Sequence, residues 1–200
     1  MPVQSAIQPA FGDAVREAQT VFRLAMRALA SPGQIVRLDT PLAPPEPLLA
    51  SAAALLLTLC DFETAVWLDP PLAENAEVAA FLRFHTGARL VTSAAEAAFA
   101  VIAEPARMSA LSAFAQGTPD YPDRSTTLIL QVETLTTAGW KLEGPGILGT
   151  TRFSAAPLPV DFAPQMRANR AAFPCGVDLL FATRASLAAL PRSTCITETR

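Results

Sequence analysis

The stretch FETAVWLDPPLAENAEVAAFLRFHTGARLVTS, residues 62–93, decides the fold class. Its first part, 62–69, has the apolar pattern of a strand, 74–87 has the pattern of a helix, and 88–93 returns to a strand. Gly87 stands where a helix commonly ends in a left-handed conformation. Helix and strand alternating in this way predict an α/β fold built on a mixed sheet.

The alternation continues toward the start of the chain. Asp13 is a candidate cap for a helix over 14–30, which should end at the Ser-Pro-Gly sequence of 31–33. The segment 33–41 alternates like a short strand, and a proline-rich turn leads into a second helix over 47–62. That helix is apolar almost all round, which predicts burial on several sides.

The alternation also continues toward the end of the chain. Ser93 and Glu96 match a capping box, and we expect a strand over 99–103 and a helix over 106–117. The later segments predict consecutive antiparallel strands over 126–135, 140–146 and 150–154, with a loop at 138–139. They are followed by a predicted helix over 164–173, a strand over 177–182 and a small final helix that ends at 190–192. We expect one domain over 1–200, a three-layer mixed sheet flanked by helices.

Composition excludes several classes of protein. Hydrophobic residues are 51% and charged residues 16% of the 200, which predicts a packed core rather than disorder. The net charge of −3 provides no bulk attraction to nucleic acid. The apolar run from Leu48 to Cys60 is too short to span a bilayer, and residues 1–19 lack a secretory signal pattern. Cysteines 60, 175 and 195 are too far apart for a disulfide scaffold, so we expect a cytoplasmic protein.

Few residues offer catalytic chemistry. His85 is the one histidine, which excludes metal motifs that need two, and phosphate-loop and dinucleotide glycine patterns are missing from the sequence. The segment EGPGILGTTR, 143–152, predicts a tight turn whose amides, with Arg152, could alternatively approach an anion. Acidic residues dominate 40–80, whereas 151–192 is net basic, so one surface is expected to be cationic.

Six patches along the sequence occur in a characteristic order and spacing: FRLAMRALASPG (22–33), ALLLTLCDFETAVWL (54–68), YPDRSTTLIL (121–130), GPGI (144–147), NRAAFPCGVDLLF (169–181) and LPRST (190–194). Together they resemble one family, the PhnH subunit of the bacterial carbon-phosphorus lyase system. Cys175, inside the fifth patch, departs from the family pattern at a variable position, and we assign it no role.

The resemblance implies a role in phosphonate catabolism, in an assembly with the G, I and J subunits of the same system. There a phosphonate is coupled to the ribose of ATP with loss of adenine, giving ribose 1-phosphonate 5-triphosphate. It also implies that a separate radical subunit carries the iron-sulfur cluster, and three scattered cysteines do not suit such a cluster. We therefore expect a homodimer or complex subunit without its own cofactor or metal, and without nucleic-acid or membrane partners.

The family fold is related to that of the pyridoxal-phosphate transferases. Pyridoxal chemistry needs a lysine amine, and the one lysine of the chain is Lys141. Because Trp140 and Leu142 should face the core, Lys141 and Glu143 should face solvent. A degenerate pyridoxal enzyme is thus the weakest of three hypotheses.

The other two hypotheses are a non-catalytic or co-catalytic subunit, which we favour, and a self-sufficient enzyme acting on a phosphorylated ribose. In the second, Arg124 or Arg152 would hold phosphate. Asp61, Glu63 or Asp123 would act as acid or base, although such carboxylates are usually surface groups or caps.

Several residues are predicted to have structural or interface roles. Arg124 should join a turn to the sheet through charge-assisted hydrogen bonds, or bind an anion. Asn169, Phe173, Pro174 and Asp178 should form a corner, with Phe173 buried and Asp178 bonded to a loop backbone. Arg23 and Asp61 are further candidates of this kind. Interface patches are expected around Phe22 and Met26 and over 66–72.

Overall fold

The computed structural model describes residues 9–197 and contains five α-helices and ten strands within that range. The helices are α1 (Ala14–Ala30), α2 (Ala50–Leu59), α3 (Pro70–Ala73), α4 (Ala76–Thr86) and α5 (Phe162–Ala171). The strands are β1 (Val36–Arg37), β2 (Ala65–Leu68), β3 (Arg89–Val91), β4 (Phe99–Ile102), β5 (Thr127–Gln131), β6 (Thr134–Glu143), β7 (Thr151–Ala156), β8 (Asp178–Ala182), β9 (Ser186–Leu190) and β10 (Cys195–Thr197). Short 3₁₀ turns fill several of the connections.

Two sheets organise these strands. The large one is seven-stranded with order β1-β9-β8-β5-β4-β2-β3, and the small one is three-stranded with order β10-β6-β7. In the large sheet β3, β2, β4, β5 and β8 are mutually parallel, whereas β9 pairs antiparallel with both β8 and β1, so that β1 runs in the same direction as the five parallel strands. The small sheet is antiparallel throughout. The predicted α/β fold with a mixed sheet flanked by helices is therefore confirmed.

Helices α1, α2 and α4 cover one face of the large sheet and form the first core with it. Asp13 caps α1 as predicted, since its Oδ1 accepts from the Arg16 amide at 3.1 Å. Gly87 ends α4 with a φ of 70°, also as predicted. Residues 51–56 of α2 are all buried, because the helix is apolar on every side and packs between its neighbours.

The opposite face of the large sheet carries the second core, formed with α5 and the small sheet. Side chains alternate between the two cores along each central strand. In β5, Ile129 points into the first core, whereas Leu128 and Leu130 point into the second. A strand buried on both faces has a continuous apolar sequence, as expected for the interior of a parallel sheet.

That continuity explains one wrong expectation. Residues 127–131 were predicted to begin a run of antiparallel strands, but β5 pairs in parallel with β4 and β8. The antiparallel run begins at β6, which passes straight through the loop expected at 138–139. A register shift between Thr136 and Trp140, with Gly139 at a φ of 87°, absorbs the irregularity as a bulge.

Two predicted helices are wrong. Over 106–117 the chain forms only short 3₁₀ turns, because its backbone bonds to distant side chains: Leu111 N–H donates to Gln165 Oε1 and Ala115 N–H to Thr126 Oγ1. The final helix is strand β9 instead. Leu187 to Leu190 are fully buried and face the two cores alternately, which a helix in that position could not achieve.

Candidate functional site

The order of the strands creates a switch point between β2 and β4. These strands are parallel neighbours. The connection leaving β2 runs through α4, which packs in the first core, whereas the connection leaving β4 runs through Leu111 and Phe114 in the second core. The two connections thus diverge onto opposite faces, and a crevice opens at the carboxyl ends of the strands. Ligands of open α/β sheets characteristically bind at such a point.

A cleft of about 510 Å³ lies at this switch point. Its size is within the range of ordinary small-molecule sites. The wall combines apolar and charged side chains from both strand ends and from the segments that follow them. The main contributors are Trp67, Asp69, Glu74, Glu104, Arg107 and Met108.

Asp69 is the most constrained polar residue of this cleft. It follows β2 directly and is only 5% exposed. Its Oδ2 accepts from the backbone amides of Ala103 at 2.7 Å and Glu104 at 3.0 Å, which joins the end of β2 to the end of β4. Its Oδ1 is buried and has no hydrogen-bond partner among residues 9–197. One carboxylate oxygen is therefore structural, and the other is enclosed by protein atoms.

The electrostatics of the cleft are acidic. Burial raises the pKa of Asp69, and the neighbouring Glu104 carboxylate raises it further against the hydrogen bonds from the backbone. Glu74 and Glu104 stand at the exposed rim. Arg107 is the cation of the wall and pairs with Glu104, with Nη1 and Oε2 3.4 Å apart. The arrangement can accept hydrogen bonds from a ligand and disfavours phosphate.

A second cleft, of about 490 Å³, lies at the carboxyl ends of β5 and β8. Gln131 and Arg184 contribute to its wall. Both ends of the Gln131 amide are hydrogen-bonded: Oε1 accepts from the Leu49 amide at 2.6 Å and Nε2 donates to Pro47 O at 2.9 Å. Gln131 therefore caps α2, which begins without a side-chain cap of its own. Arg184 and Glu133, both exposed, give the wall of this cleft one charge of each sign.

The two predicted phosphate ligands lie on separate elements. Arg124 is in the 3₁₀ turn before β5, and its guanidinium stacks 4.3 Å from the centre of the Tyr121 ring. Arg152 is on β7 of the small sheet, where Nη1 donates to Gly139 O at 3.3 Å. Arg124 was expected to bond the turn to the sheet, but its described contact is this aromatic ring.

Arg192 makes the bonds that were expected of Arg124. Its guanidinium donates to Pro122 O at 2.7 Å and to Pro174 O at 3.3 Å, and it reaches Ser125 Oγ and Asp178 as well. It thus joins the turn before β5 to the start of β8. The sequence offers no local sign of this role, because Arg192 follows β9, far from the partners in the chain.

The predicted corner at 169–178 forms, with one error. Asn169 bonds to both backbone groups of Val177, donating to its O at 2.9 Å and accepting from its N at 2.8 Å. Asp178 accepts from the loop amide of Arg192 at 2.8 Å, as predicted. Phe173 was expected to be buried but is exposed, with the Arg170 guanidinium 5.2 Å from its ring centre. The corner is held by the polar residues rather than by the phenylalanine.

The remaining candidates occupy surface positions. Arg23 is exposed on α1. Asp61 forms a turn between α2 and β2, and the Thr64 hydroxyl, followed by the Glu63 amide, lowers the pKa of its carboxyl. Of the predicted interface stretch 66–72, residues Val66, Leu68 and Leu72 are buried in the first core, so that part of the expectation is wrong.

Lys141, the lysine that pyridoxal chemistry would need, lies within residues 9–197, which the structure describes. Lys141 faces outward from β6 and pairs with Glu143, with Nζ and Oε1 2.6 Å apart. Within this range no cluster of three or more histidine, cysteine or acidic side chains is arranged to hold a metal ion. Nor does any helix there have the length and apolarity to cross a membrane.

Comparison with known proteins decides the family. The profile of a family described as "Bacterial phosphonate metabolism protein (PhnH)" matches residues 9–197. The chain belongs to the PhnH family. A relative from Rhizobium meliloti (strain 1021), the alpha-D-ribose 1-methylphosphonate 5-triphosphate synthase subunit PhnH, is 44% identical over 197 residues, covering 97% of this chain and 98% of the relative.

Membership of the PhnH family confirms the resemblance carried by the six sequence patches. The match spans all of them, from residue 22 in the middle of α1 to residue 194 after β9. The switch-point cleft was missed at the sequence level, although Asp69 had been placed at the end of a predicted strand. What could have pointed to it is a carboxylate directly after an apolar strand and before two prolines.

Proposed function

We propose that this chain is a subunit of the bacterial carbon-phosphorus lyase system for phosphonate catabolism. It contributes to the step that couples a phosphonate to the ribose of ATP with loss of adenine, giving ribose 1-phosphonate 5-triphosphate. The observation that carries this proposal is the full-length relationship: 44% identity to a protein named as a subunit of the corresponding synthase, over nearly the whole of both chains.

The proposed role is to complete an assembly rather than to perform a reaction alone. The best-organised polar side chains support this role, since Arg192, Asp178 and Asn169 all bond to other parts of this chain. In a self-sufficient enzyme on a phosphorylated ribose, Arg124 or Arg152 would hold phosphate, whereas these guanidiniums contact the Tyr121 ring and Gly139 O of this chain. The proposed partners are the G, I and J subunits of the system, in the cytoplasm, and the transferase and lyase chemistry belongs to the whole assembly.

An apolar stripe on α1 supports association. Val15 is 80%, Phe22 47% and Met26 38% exposed, and their spacing places them along one side of the helix. Exposed apolar stripes of this kind commonly mark interfaces. We assign this stripe to a homodimer contact when the chain is alone, and to shared use with other subunits in the assembly.

The same proposal includes kinship with the pyridoxal-phosphate transferase fold without its cofactor. A seven-stranded mixed sheet with helices packed on both of its faces is compatible with that kinship. The residues present do not fit pyridoxal phosphate, because Lys141 projects from the small sheet into an ion pair with Glu143 and does not line the cleft. The function proposed for this chain therefore does not use that cofactor.

Co-purification tests the proposal directly. A tagged copy of the chain is expressed at native level in cells grown on methylphosphonate as phosphorus source, and the eluate is analysed by native mass spectrometry. We expect the eluate to contain a complex with the other core subunits. We also expect a strain that lacks this chain to grow on phosphate but not on methylphosphonate, and to regain growth on methylphosphonate when the chain is supplied. Recovery of the chain alone, with growth on methylphosphonate unchanged by its deletion, would contradict the proposal.

A further inference from the structure

We infer that the outer face of α1 docks an acidic amphipathic helix of a partner subunit, whose apolar side covers the apolar stripe and whose carboxylates meet the arginines beside it. This inference rests on the proposed function, in which the chain is a subunit of an assembly. It goes further by assigning the chemistry of the partner surface, which an apolar stripe alone leaves undefined.

The first argument is a row of arginines that runs beside the stripe. Each stripe residue is followed directly by an arginine, and the resulting basic row is Arg16, Arg23 and Arg27. Both rows have the same intervals of seven and four residues, which keep side chains on one side of a helix. A step of one residue turns by about 100° around the helix axis. The outer face of α1 is thus an apolar stripe with an exposed basic row along one flank.

The second argument is that this chain supplies no carboxylate to the middle of the basic row. Arg23 has no hydrogen bond or ion pair with any of residues 9–197. Arg27 Nε donates to the uncharged Gln34 side chain, 3.3 Å from its Oε1. No acidic residue occurs over 18–38. Because like charges four residues apart destabilise a helix, carboxylates of a partner would relieve the repulsion between Arg23 and Arg27.

The two acidic residues of α1 and its cap do not fill this gap. Asp13 caps the helix and pairs with Arg16 in the first turn, with Oδ2 and Nε 3.5 Å apart. Glu17 Oε1 accepts from the Asp13 amide at 2.8 Å. Both carboxylates therefore serve the start of α1, and their helical positions place them beyond the basic row, on the side away from the stripe. The charges next to the stripe are positive.

The third argument distinguishes this partner from a second copy of the chain. A twofold contact is self-complementary, so between antiparallel helices each flank of one helix lies beside the same flank of the other. The two basic rows would then face each other. Between parallel helices the basic row would lie beside the opposite flank, where Ala18 and Ala25 carry no charge. A second copy matches the stripe but not the arginines, so the homodimer contact is the weaker one and an acidic partner replaces it.

The length of the face suits a helix as the occupant. Met26 follows Val15 by eleven residues, which corresponds to about 16 Å, or three turns, at about 1.5 Å per residue. A helix packed along this face presents its own side chains at matching intervals. Carboxylates on one flank of that helix can pair with the guanidinium groups at the rim of the apolar contact, which orients the partner and speeds its association.

Neutralising the basic row tests the inference. The G, I and J subunits, co-expressed and purified without this chain, are immobilised, and binding of the chain is measured by biolayer interferometry at several salt concentrations. We expect the parent chain to bind, and Arg23→Gln combined with Arg27→Gln to lower its affinity about fivefold or more, with a shallower salt dependence. The matched control is Arg83→Gln combined with Arg89→Gln. It removes the same charge from exposed positions on α4 and β3 and should leave the affinity unchanged.

The outcomes of this measurement separate the inference from the proposed function. If the parent chain does not bind the G, I and J subunits, both fail. If the parent binds but the neutralised variant binds with the same affinity, or the control loses as much affinity, the inference alone fails and the role in the assembly stands.

Two further measurements examine the other possible occupants. In light scattering of the isolated chain, the neutralised variant should associate with itself as tightly as the parent or more tightly, because like charges that face each other have been removed. Equal weakening of self-association and of subunit binding would overturn the inference. The parent should not bind vesicles of phosphatidylglycerol and phosphatidylcholine. Vesicle binding that is lost in the neutralised variant would assign the face to an anionic lipid surface and would also overturn the inference.

A photocrosslink identifies the partner residues. Met26 is replaced by benzoylphenylalanine in the purified assembly, and the crosslinked peptide is identified by mass spectrometry. We expect a peptide of another subunit in which glutamate or aspartate stands beside apolar residues at helical spacing. Arg23→Glu combined with Arg27→Glu should lower affinity about tenfold or more, and changing the partner's carboxylates to lysine should restore it. A crosslinked peptide without carboxylates, or no restoration in the paired variants, would contradict the inference.

Discussion

Arg192 and Asp178 form a bidentate pair at the amino end of the central strands. Nε donates to Oδ1 at 3.1 Å and Nη2 to Oδ2 at 2.6 Å, while the Arg192 amide also donates to Oδ1 at 2.8 Å. The two side chains are 13% and 24% exposed. Because the same guanidinium also holds Pro122 O and Pro174 O, this pair fixes two loops to the start of β8.

Replacing Arg192 by alanine should destabilise the fold strongly. The change removes the two guanidinium hydrogen bonds to Asp178 and leaves two loop carbonyls without donors. The free energy of unfolding should therefore fall by about 3 kcal/mol. Urea denaturation measures this loss in the free energy of unfolding. Arg37→Ala is the matched control, because Arg37 and Asp39 form an exposed pair, 81% and 60% accessible, that should contribute less than about 1 kcal/mol. Similar losses in both variants would contradict a structural role specific to Arg192.

Replacing Asn169 by alanine should also be costly. Asn169 is buried and bonds to both the N–H and the C=O of Val177, so truncation leaves two buried backbone groups unpaired. We expect a loss of about 2 kcal/mol in the free energy of unfolding. Gln34→Ala, at an exposed position, is the comparison and should change it by less than about 0.5 kcal/mol. Equal stability of the parent and Asn169→Ala proteins would show that the corner does not depend on this amide.

Stability should depend on pH through Asp69. Burial raises the pKa of Asp69 above its ordinary value of 3.8 in the folded protein. Its contribution to stability is therefore present in full below 3.8 and is lost as the pH rises through the folded-state pKa. Asp69→Asn cannot ionise, so the variant should gain stability relative to the parent between about pH 4 and pH 7. Urea unfolding of both proteins across that range measures the difference, and a difference independent of pH would contradict it.

Thiol labelling should distinguish Cys60 from Cys195. Burial raises the pKa of the Cys60 thiol from 9.0 to about 12, and the charge of Asp61 adds to this effect. The thiolate is the reactive form, so iodoacetamide at about pH 8 should leave Cys60 unmodified in the native protein and modify it after denaturation. Cys195, which is exposed, should react in both states. Peptide mass spectrometry identifies the sites, and native labelling of Cys60 at the rate of Cys195 would refute this protection.

Phe22→Glu should weaken association. A charge in the middle of the α1 stripe must be buried without a partner if that stripe forms a contact, which is unfavourable. Light scattering should show a shift toward monomer of about tenfold or more in dissociation constant. Phe84→Glu is the control, because Phe84 is 68% exposed at the far end of α4 and lies outside the stripe. A monomeric parent protein, or equal effects of the two substitutions, would contradict the assigned contact.

The elements that sequence reasoning found are those whose signals lie within a few residues. The Asp13 cap of α1 and the Gly87 end of α4 act on neighbouring backbone, so both helices were predicted within one or two residues of their observed bounds. The outward direction of Lys141 followed from simple strand alternation, and its pair with Glu143 agrees with it.

The elements that it missed depend on distant parts of the chain. Residues 186–190, SLAAL, have the composition of a helix and become a strand because β8 and β1 flank them on both sides. Predicting the cleft would have required knowing that β2 lies between β3 and β4 in the sheet, so that β4 is its neighbour on the side away from β3. The hydrogen bonds between turn and sheet that were expected of Arg124 are made by Arg192. The sequence did not indicate this, because a contact between separate loops leaves no pattern in either local sequence.

The capping of α2 has a consequence for how the chain reaches its native state during synthesis. At the start of the helix, the Leu49 amide donates to Oε1 of Gln131, which lies 82 residues further along the chain. The Ser51 hydroxyl donates to Thr183 O, 132 residues after Ser51. Both closures require most of the polypeptide to have left the ribosome. Until β5 and β8 emerge, the most apolar helix of the protein has no place to dock, so a nascent chain ending before residue 131 should be a strong client for chaperones.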